Sequence, residues 1–242
     1  MSAVAINKLS KQLGRHLALD RVSLAVPYGQ TTAILGESGC GKTTLLRHIN
    51  GLLQPDSGTI EVLGQPIDYS HLPVLRRRMG YAVQSVGLFP HLSVAHNIAL
   101  VARLSGWSKQ RIEARTRQLL ALMELATELL ERFPHELSGG QRQRVGICRA
   151  MMLQPELLLL DEPFSGIDPI TRVRIHHEFL ALLEAEPTTT VLVTHDVPEA
   201  LRLATHLVIM RDGQVLQHGP VEDVAAQPVS ADIASLFEDA RP

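Results

Sequence analysis

Gly36-Glu37-Ser38-Gly39-Cys40-Gly41-Lys42-Thr43-Thr44 is the stretch of this chain that decides its fold. It fits the pattern G-x-x-x-x-G-K-[ST], in which glycines let the backbone turn tightly and aim its N–H groups into a concave loop. In this pattern Lys42 supplies a point charge for the terminal phosphates of a nucleotide, and the hydroxyl of Thr43 is a ligand for Mg²⁺. The stretch therefore predicts a site for a nucleoside triphosphate.

The residues on either side of this phosphate loop fit a strand and a helix. Thr31–Leu35 is short, apolar and partly β-branched, as buried strands are, and Thr44–Ile49 has apolar residues at helical spacing. A strand, a loop and a helix in this order direct the helix N-terminus at the phosphates. By itself the loop does not separate a kinase, a GTPase, a helicase or a transport ATPase.

The composition argues against several classes of protein. The 242 residues carry a formal net charge of −2 with 20% charged residues, which disfavours a nucleic-acid binder held by overall basicity. Two cysteines give no disulfide framework, so a reducing cytosol is expected. The N-terminus lacks a secretory pattern, and no apolar run has the length needed to cross a bilayer. Cys40 is either a thiol whose modification would block nucleotide or a small tolerated side chain.

Several strands can be predicted along the chain. Residues 4–35 alternate apolar and polar side chains, which predicts half-exposed antiparallel strands and a three-stranded flap beside the nucleotide. Asp212-Gly213, between two apolar runs, predicts a β-hairpin.

Polar residues follow three of the predicted strands. In open α/β sheets the ligand crevice lies at the carboxyl ends of the strands, so these residues are candidates for the site. Two acids after a leucine run can instead cap the next helix, and a lone histidine is more often a surface or core residue. The candidates are Gln84, Asp161 with Glu162, and His195, after the runs 80–83, 157–160 and 189–194.

The middle of the chain has helical patterns without strands. A helix is predicted from Ser108 to about Ala126 and another from Ser138 to a stop at Pro155. The fold class is therefore α/β, with a P-loop NTPase core, a mixed sheet, an N-terminal antiparallel β flap and an inserted α-helical subdomain. We expect one domain, 1–242, whose nucleotide-binding core is about 1–89 and 156–242 and whose helical subdomain is about 90–155.

A second motif makes the family recognisable. Leu137-Ser138-Gly139-Gly140-Gln141, in order with the phosphate loop, Gln84, Leu157–Pro163, Ser165–Asp168 and His195, resembles the ATP-binding cassette ATPases over nearly the whole chain. A serine and two glycines at a helix N-terminus also suit an anion.

The resemblance implies a role for each motif residue, with ATP and Mg²⁺ as cofactors. The groups act by positioning and by neutralising charge during in-line transfer of a phosphoryl group to water. Lys42 and the loop amides would hold the phosphates, Thr43 and Gln84 would contact Mg²⁺, Asp161 would support the metal through water, Glu162 would activate the attacking water, His195 would contact the γ-phosphate, and Asp168 would communicate between paired sites.

The resemblance also implies a second copy. In the family, two cassettes meet head to tail, so that each ATP lies between the phosphate loop of one subunit and Ser138, Gly140 and Gln141 of the other. The expected working unit is a homodimer of this kind.

Two residues depart from the family pattern. An aromatic residue usually stacks on adenine in the early flap, whereas Leu13 occupies that place and His16 is the nearest ring-bearing residue. Gly166 replaces an alanine that is common in the loop between subunits. The first departure puts selectivity for the base in doubt.

Among cassette ATPases, transport is favoured. A chromosome-maintenance relative would need a long coiled-coil insertion and a translation relative two cassettes in one chain. The implied partners are an integral membrane permease and, indirectly, a substrate-binding protein, with no nucleic acid. The implied location is peripheral, on the cytoplasmic face of the membrane.

The segment 79–102 lacks Asp, Glu, Lys and Arg. In the family this region receives a short helix of the membrane subunit, so Leu88, Phe89 and Leu92 are candidates for that contact. Ordinary core packing of these side chains is the alternative.

The amino-acid sequence of residues 76–91 and 103–107 resembles that of ATPases that import glycine betaine, choline or carnitine. An ATPase of another importer, for an amino acid or other small solute, is the nearest alternative. A nucleotide-gated assembly module with negligible turnover is an alternative from another class, against which Glu162 and His195 count.

Overall fold

A computed structural model describes residues 2–84 and 87–238. Contacts divide the chain into two compact units, one formed by Met1–Leu75 with Thr189–Pro242 and the other by Arg76–Thr188. The limits of the helical subdomain, at about residues 90 and 155, come from the helical pattern of the sequence and stay a prediction. Ser85 and Val86, within the charge-free segment, lie outside the described residues.

The first unit contains both a flap and the phosphate-loop strand. Its elements are β1 (Ser2–Leu13), β2 (His16–Pro27), β3 (Thr31–Leu35), α1 (Lys42–Ile49), β4 (Ser57–Val62), β5 (Gln65–Pro66), the start of α2 (Leu72–Arg77), β8 (Thr189–Thr194), α7 (Val197–Leu203), β9 (His206–Arg211), β10 (Gln214–Pro220), α8 (Val221–Ala226) and α9 (Ala231–Glu238).

The flap is an antiparallel sheet in the order β2-β1-β4-β5, so it has one strand more than predicted. The extra strand pairs Val62 with Gln65 across a two-residue turn. Leu63 (φ 53°) and Gly64 (φ 80°) both have the positive φ that such a turn requires. Because only Gln65 and Pro66 form β5, it carries no alternating pattern that the sequence could show.

The phosphate loop follows a strand that is paired on both edges. β3 is parallel to β8 and to β9, and β9 is antiparallel to β10. All residues of β3 and β8 are buried, which suits their apolar and β-branched composition. The predicted hairpin forms at Asp212-Gly213, whose φ values are 48° and 76°. The predicted mixed α/β fold is confirmed.

Within its described residues, 76–84 and 87–188, the second unit combines two parallel strands with four helices. β6 (Met79–Ala82) pairs with β7 (Leu157–Asp161), and the helices are α3 (Val94–Leu104), α4 (Lys109–Leu122), α5 (Gly139–Met151) and α6 (Pro169–Ala185). Two 3-10 turns, Thr127–Glu131 and Pro134–Glu136, precede α5. Within residues 2–84 and 87–238, every helix is too short or too polar to cross a lipid bilayer.

The helices of the second unit start at polar caps. Ser93, Ser108 and Ser138 each accept a hydrogen bond from a backbone N–H in the first turn of α3, α4 and α5. α4 ends four residues earlier than predicted, at Leu122. The chain then turns through Glu124, which has a left-handed φ of 46°.

Candidate active site

Backbone from two other strands packs against the phosphate loop. A Cβ on Gly41, whose φ is 107°, would lie 2.6 Å from the carbonyl oxygen of Ala18 in β2. A Cβ on Gly36 would overlap the carbonyl oxygen of Met210 in β9. The Gly213 N–H also donates to the Cys40 carbonyl at 3.0 Å. The loop is therefore held from outside as well as by its own sequence.

Lys42 closes the loop from within. Its Nζ is buried and donates to the carbonyls of Gly36 and Glu37, both at 2.7 Å. An ammonium group has three donors, and Lys42 Nζ also lies 3.9 Å from Cys40 Sγ. A phosphate oxygen is a far better acceptor than a thiol, so Lys42 can hold the loop and a phosphate at once.

Cys40 is enclosed by the loop. It is 7% exposed, and burial raises the pKa of its thiol even though the Lys42 ammonium acts in the opposite direction. Because the thiolate is the reactive form, a raised pKa makes this cysteine a poor nucleophile. The geometry favours the small tolerated side chain over a reactive thiol.

His195 lies close to the start of the phosphate loop. It is exposed, directly after β8, and with Gly36, Glu37 and Ser38 it lines a cavity of about 290 Å³. Arg211 lines the same cavity. The first unit thus brings a histidine that can hydrogen-bond and a guanidinium to the loop that would carry the phosphates.

Gln84 and Glu162 are joined in the second unit. Gln84 Nε2 donates to Glu162 Oε2 at 2.9 Å. Glu162 has a left-handed φ of 46°, and its carbonyl accepts from Ser165 Oγ at 3.0 Å. An uncommon backbone angle in a residue other than glycine marks a position whose geometry is enforced by its surroundings. The carboxylate is therefore aimed by its neighbours.

Each unit carries oxygen groups of the kind that a magnesium ion binds. Mg²⁺ prefers hard oxygen ligands and keeps several waters. In the second unit, Asp161 is 3% exposed at the end of β7 and has a carboxylate. The amide oxygen of Gln84 is also a candidate ligand there, because its amide nitrogen donates to Glu162. In the first unit, Thr43 has a hydroxyl. When bound, the ion would neutralise charge on the phosphates.

The signature segment, Leu137–Gln141, forms the start of α5 as a capping box. Ser138 Oγ accepts from the Gln141 N–H at 3.2 Å, and Gln141 Oε1 accepts from the Ser138 N–H at 2.9 Å. Ser138 is exposed. Its hydroxyl proton and the amide N–H₂ of Gln141 are still donors, so this helix N-terminus suits an anion as expected.

Asp168 caps α6. Its Oδ1 accepts from the Thr171 N–H at 2.9 Å, and this hydrogen bond is the main cause of the lowered pKa of the carboxyl. The exposed side chain is thereby fixed in direction. Its role towards a second copy stays a prediction.

The tip of the flap carries the two residues at the expected adenine position. Leu13 and His16 are cross-strand partners at the end of the β1–β2 hairpin. Leu13 is 41% exposed, and His16 is also exposed. An aliphatic residue and an imidazole therefore stand where an aromatic ring was expected.

A family model described as ABC transporter matches residues 19–165, which is more than half of the chain. The chain belongs to the ABC transporter family. The sequence prediction of a cassette ATPase is confirmed by this match, which includes the phosphate loop and the signature segment.

Individual relatives of this ABC ATPase are named for the import of different solutes. The glycine betaine uptake system ATP-binding protein YehX of Escherichia coli K12 is 45% identical over 97% of the chain and 76% of its own length. The choline transport ATP-binding protein OpuBA of Bacillus subtilis 168 is 42% identical over 89% of the chain, which spans 56% of that relative. The Fe(3+) ions import ATP-binding protein FbpC of Pseudomonas fluorescens Pf-5 is 42% identical over 99% of the chain and 68% of its length.

A solved structure also resembles this ABC ATPase. The dimeric post-hydrolysis state of the ATP-binding cassette MJ0796, bound to ADP and phosphate, has a TM-score of 0.82 and 29% identity. The match covers 90% of this chain and 98% of that one. The likeness extends over almost the whole cassette.

Sequence reasoning missed the residues that hold the phosphate loop in place. Ala18, Met210 and Gly213 press on the phosphate loop from distant parts of the sequence, and no local pattern marks them. Asn97, by contrast, could have been recognised from the sequence as a residue that needs hydrogen-bond partners. It is a fully buried amide in the apolar helix α3, and a buried polar residue at such a position must find partners.

Proposed function

We propose that this chain is the ATP-hydrolysing subunit of an importer for a quaternary-ammonium osmoprotectant such as glycine betaine, choline or carnitine. The observation that carries hydrolysis is the hydrogen bond between Gln84 and Glu162, because it aims a carboxylate that can accept a proton from water. A module that only bound nucleotide would not require this arrangement.

Each group then has a definite task. Lys42 and the loop N–H groups bind and orient the phosphates. Thr43 and Gln84 would contact Mg²⁺, and Asp161 would support the ion through water. Glu162 orients the attacking water and takes its proton. His195 donates a hydrogen bond to the γ-phosphate.

The first test is the steady-state ATPase rate of Glu162→Gln. Glutamine keeps the shape of the side chain but cannot take a proton, so we expect turnover to fall by about 100-fold or more. Binding of a fluorescent ATP analogue should be unchanged. Glu184→Gln, an exposed site on α6, is the control and should hydrolyse normally. Wild-type turnover by Glu162→Gln would refute the assignment.

The support for the solute comes from relatives. The glycine betaine and choline ATPases match over most of the chain, and the sequence of residues 76–91 by itself resembles this group. The iron relative is almost as similar, so another importer is the second candidate. Purification with the membrane partner, followed by uptake of radiolabelled betaine, choline, carnitine and ferric ion, discriminates between them. Uptake of iron alone would overturn the osmoprotectant proposal.

The proposed assembly is a head-to-tail pair on the cytoplasmic face of a membrane permease, which a substrate-binding protein supplies. The dimeric relative bound to ADP and phosphate supports such a pair. In a variant with Ser38→Cys and Gly139→Cys, ATP should promote a disulfide between two copies. A Cβ on Gly139 meets nothing closer than Arg142 Nη2 at 4.0 Å, so cysteine fits there. Ser38→Cys alone is the control, and absence of the cross-link in the double variant would refute the pair.

A further inference from the structure

The signature helix packs on α6 without a gap. A Cβ built on Gly140 would lie 3.0 Å from Thr171 Cγ2 and 3.1 Å from Ile175 Cδ1. Such distances are tighter than ordinary van der Waals contact, so a side chain at position 140 would push Thr171 and Ile175 away by a few tenths of an ångström. The second glycine of the signature therefore lies in close contact with α6 of its own subunit.

A buried ion pair ties the same helices one turn further along. Arg144 of α5 donates to both carboxylate oxygens of Glu178 of α6 at 3.2 Å. Arg144 is 7% exposed and Glu178 4% exposed. The guanidinium also donates to the carbonyls of Met123 and Glu124, at 3.3 and 3.4 Å, where α4 has ended. A planar guanidinium satisfied on several sides holds its partners in fixed directions.

We propose that Gly140, Thr171 and Ile175 together with Arg144 and Glu178 form an α5–α6 clasp that couples the two nucleotide sites of the pair. This inference rests on the proposed function, in which the signature segment serves the nucleotide of the other copy. The members of the clasp that do not face nucleotide, such as Ile175 and Glu178, are positioning residues.

The physical argument follows the chain from Glu162 to α6. Only a short loop separates Glu162 from Asp168, and Asp168 is bonded to the first turn of α6. A displacement of that loop on hydrolysis moves the start of α6. Because Thr171 and Ile175 already touch Gly140, α5 and its exposed Ser138 must move too. Closely packed elements transmit small shifts rather than absorb them.

Two conservative variants test the clasp. Ile175→Val removes the Cδ1 atom that faces Gly140, and Glu178→Gln keeps the shape of the side chain but removes its charge. The control is Leu182→Val, which is also fully buried on α6 but lies further along the helix. It loses a similar amount of apolar contact without touching the clasp.

Two readouts separate coupling from stability. In the Ser38→Cys, Gly139→Cys background, we expect the ATP concentration for half-maximal cross-linking to rise roughly 5-fold or more in both clasp variants, the lower end of typical coupling between sites. The Hill coefficient of ATP hydrolysis should fall towards one. Affinity of the isolated subunit for ATP should not change, and Leu182→Val should behave as wild type in both assays.

The outcomes distinguish the inference from the function on which it rests. Unchanged cross-linking and cooperativity in the clasp variants, or an equal change in Leu182→Val, overturn the clasp alone. A parent protein that neither hydrolyses ATP nor cross-links overturns the pair and the clasp together.

Discussion

Gly41 of the phosphate loop and Gly29, in the turn between β2 and β3, differ in how much room surrounds them. A Cβ on Gly41 would be 2.6 Å from the Ala18 carbonyl, and its φ of 107° is unfavourable for any other residue. Gly29 has a φ of 69° but open space around its Cβ position. A side chain at position 41 would meet both a backbone clash and an unfavourable φ, whereas a side chain at position 29 would meet the unfavourable φ alone.

Gly41→Ala should therefore cost much more than Gly29→Ala. A left-handed φ in alanine costs about 1–2 kcal/mol, which is all that Gly29→Ala should lose. Gly41→Ala adds displacement of β2 or of the loop, so both the free energy of unfolding and ATP affinity should fall. Urea unfolding and a nucleotide-binding titration measure the two effects. Equal losses at both positions would contradict the packing of Ala18 against the loop.

His48 gives the first unit a specific dependence on pH. It is fully buried in α1, and burial lowers the pKa of its imidazole, although the hydrogen bond from Nδ1 to the Thr44 carbonyl at 2.8 Å opposes this. The unfolded chain thus takes up a proton at higher pH than the folded one. The stability contributed by the neutral ring is present above about pH 6.5 and is lost as pH falls towards the lower pKa of the folded state.

The variant that isolates this effect is His48→Gln. Wild type should lose up to about 1.4 kcal/mol per pH unit more than the variant between pH 6.5 and 5.5, since one proton is involved. Urea unfolding at several pH values measures the difference. His16→Gln, at an exposed histidine, is the matched control. An identical pH dependence of wild type and His48→Gln would refute the argument.

At the residue scale, the sequence predicted which residues carry the chemistry better than it predicted which groups hold them in place. Lys42, Glu162 and His195 could be proposed because their chemistry and their places after predicted strands are local properties. The carbonyls of Ala18 and Met210 could not be predicted as contacts of the phosphate loop. Every residue has a carbonyl, and only the fold brings these two against the loop.

At the scale of elements, α9 completes the covering of the phosphate-loop strand. Ile233 and Phe237 are buried in one cluster with Ala33 and Leu35 of β3 and with Ile209 of β9. The helix also carries Asp232, whose Oδ2 accepts from Arg211 Nη1 at 2.9 Å. Burial of the apolar residues outweighs this exposed pair, which is worth about 0–1 kcal/mol.

Ile233→Ala should destabilise the protein by about 2–5 kcal/mol, the usual cost of deleting a large buried aliphatic side chain. Val229→Ala, at a residue 65% exposed just before α9, should change the free energy of unfolding by less than about 0.5 kcal/mol. Urea unfolding measures both. A small loss for Ile233→Ala would mean that α9 contributes little to the core.

The sequence does not show where α9 packs. The pattern Ala231–Glu238 is too short to reveal its partner, and Ala33 and Leu35 lie about two hundred positions earlier in the chain. Strands with strong local signals, such as β3, β7 and β8, were predicted nearly to the residue. β5, of two residues, was not.

At the scale of the whole molecule, the proposed partner is a membrane permease, and the charge-free segment is its candidate contact. Asn97 fixes the loop 88–92 there. Its Nδ2 donates to the carbonyls of Phe89 at 3.1 Å and Leu92 at 2.9 Å, while its Oδ1 accepts from the Phe89 N–H at 2.8 Å. A loop held this firmly still leaves the Phe89 side chain 42% exposed. Exposure of a large aromatic on a rigid loop favours a binding role over core packing.

Phe89→Asp should therefore release the ATPase from its permease while leaving ATP binding by the isolated chain intact. Aromatic anchors carry much of the energy of an interface, and a carboxylate in their place would be buried without a partner. Co-purification of the two proteins measures the effect, and a fluorescent nucleotide titration checks the cassette. Val74→Asp, at a residue 65% exposed, is the matched control and should keep the complex. Full complex formation by Phe89→Asp would place the contact elsewhere, and loss of ATP binding would show that the ring supports the fold instead.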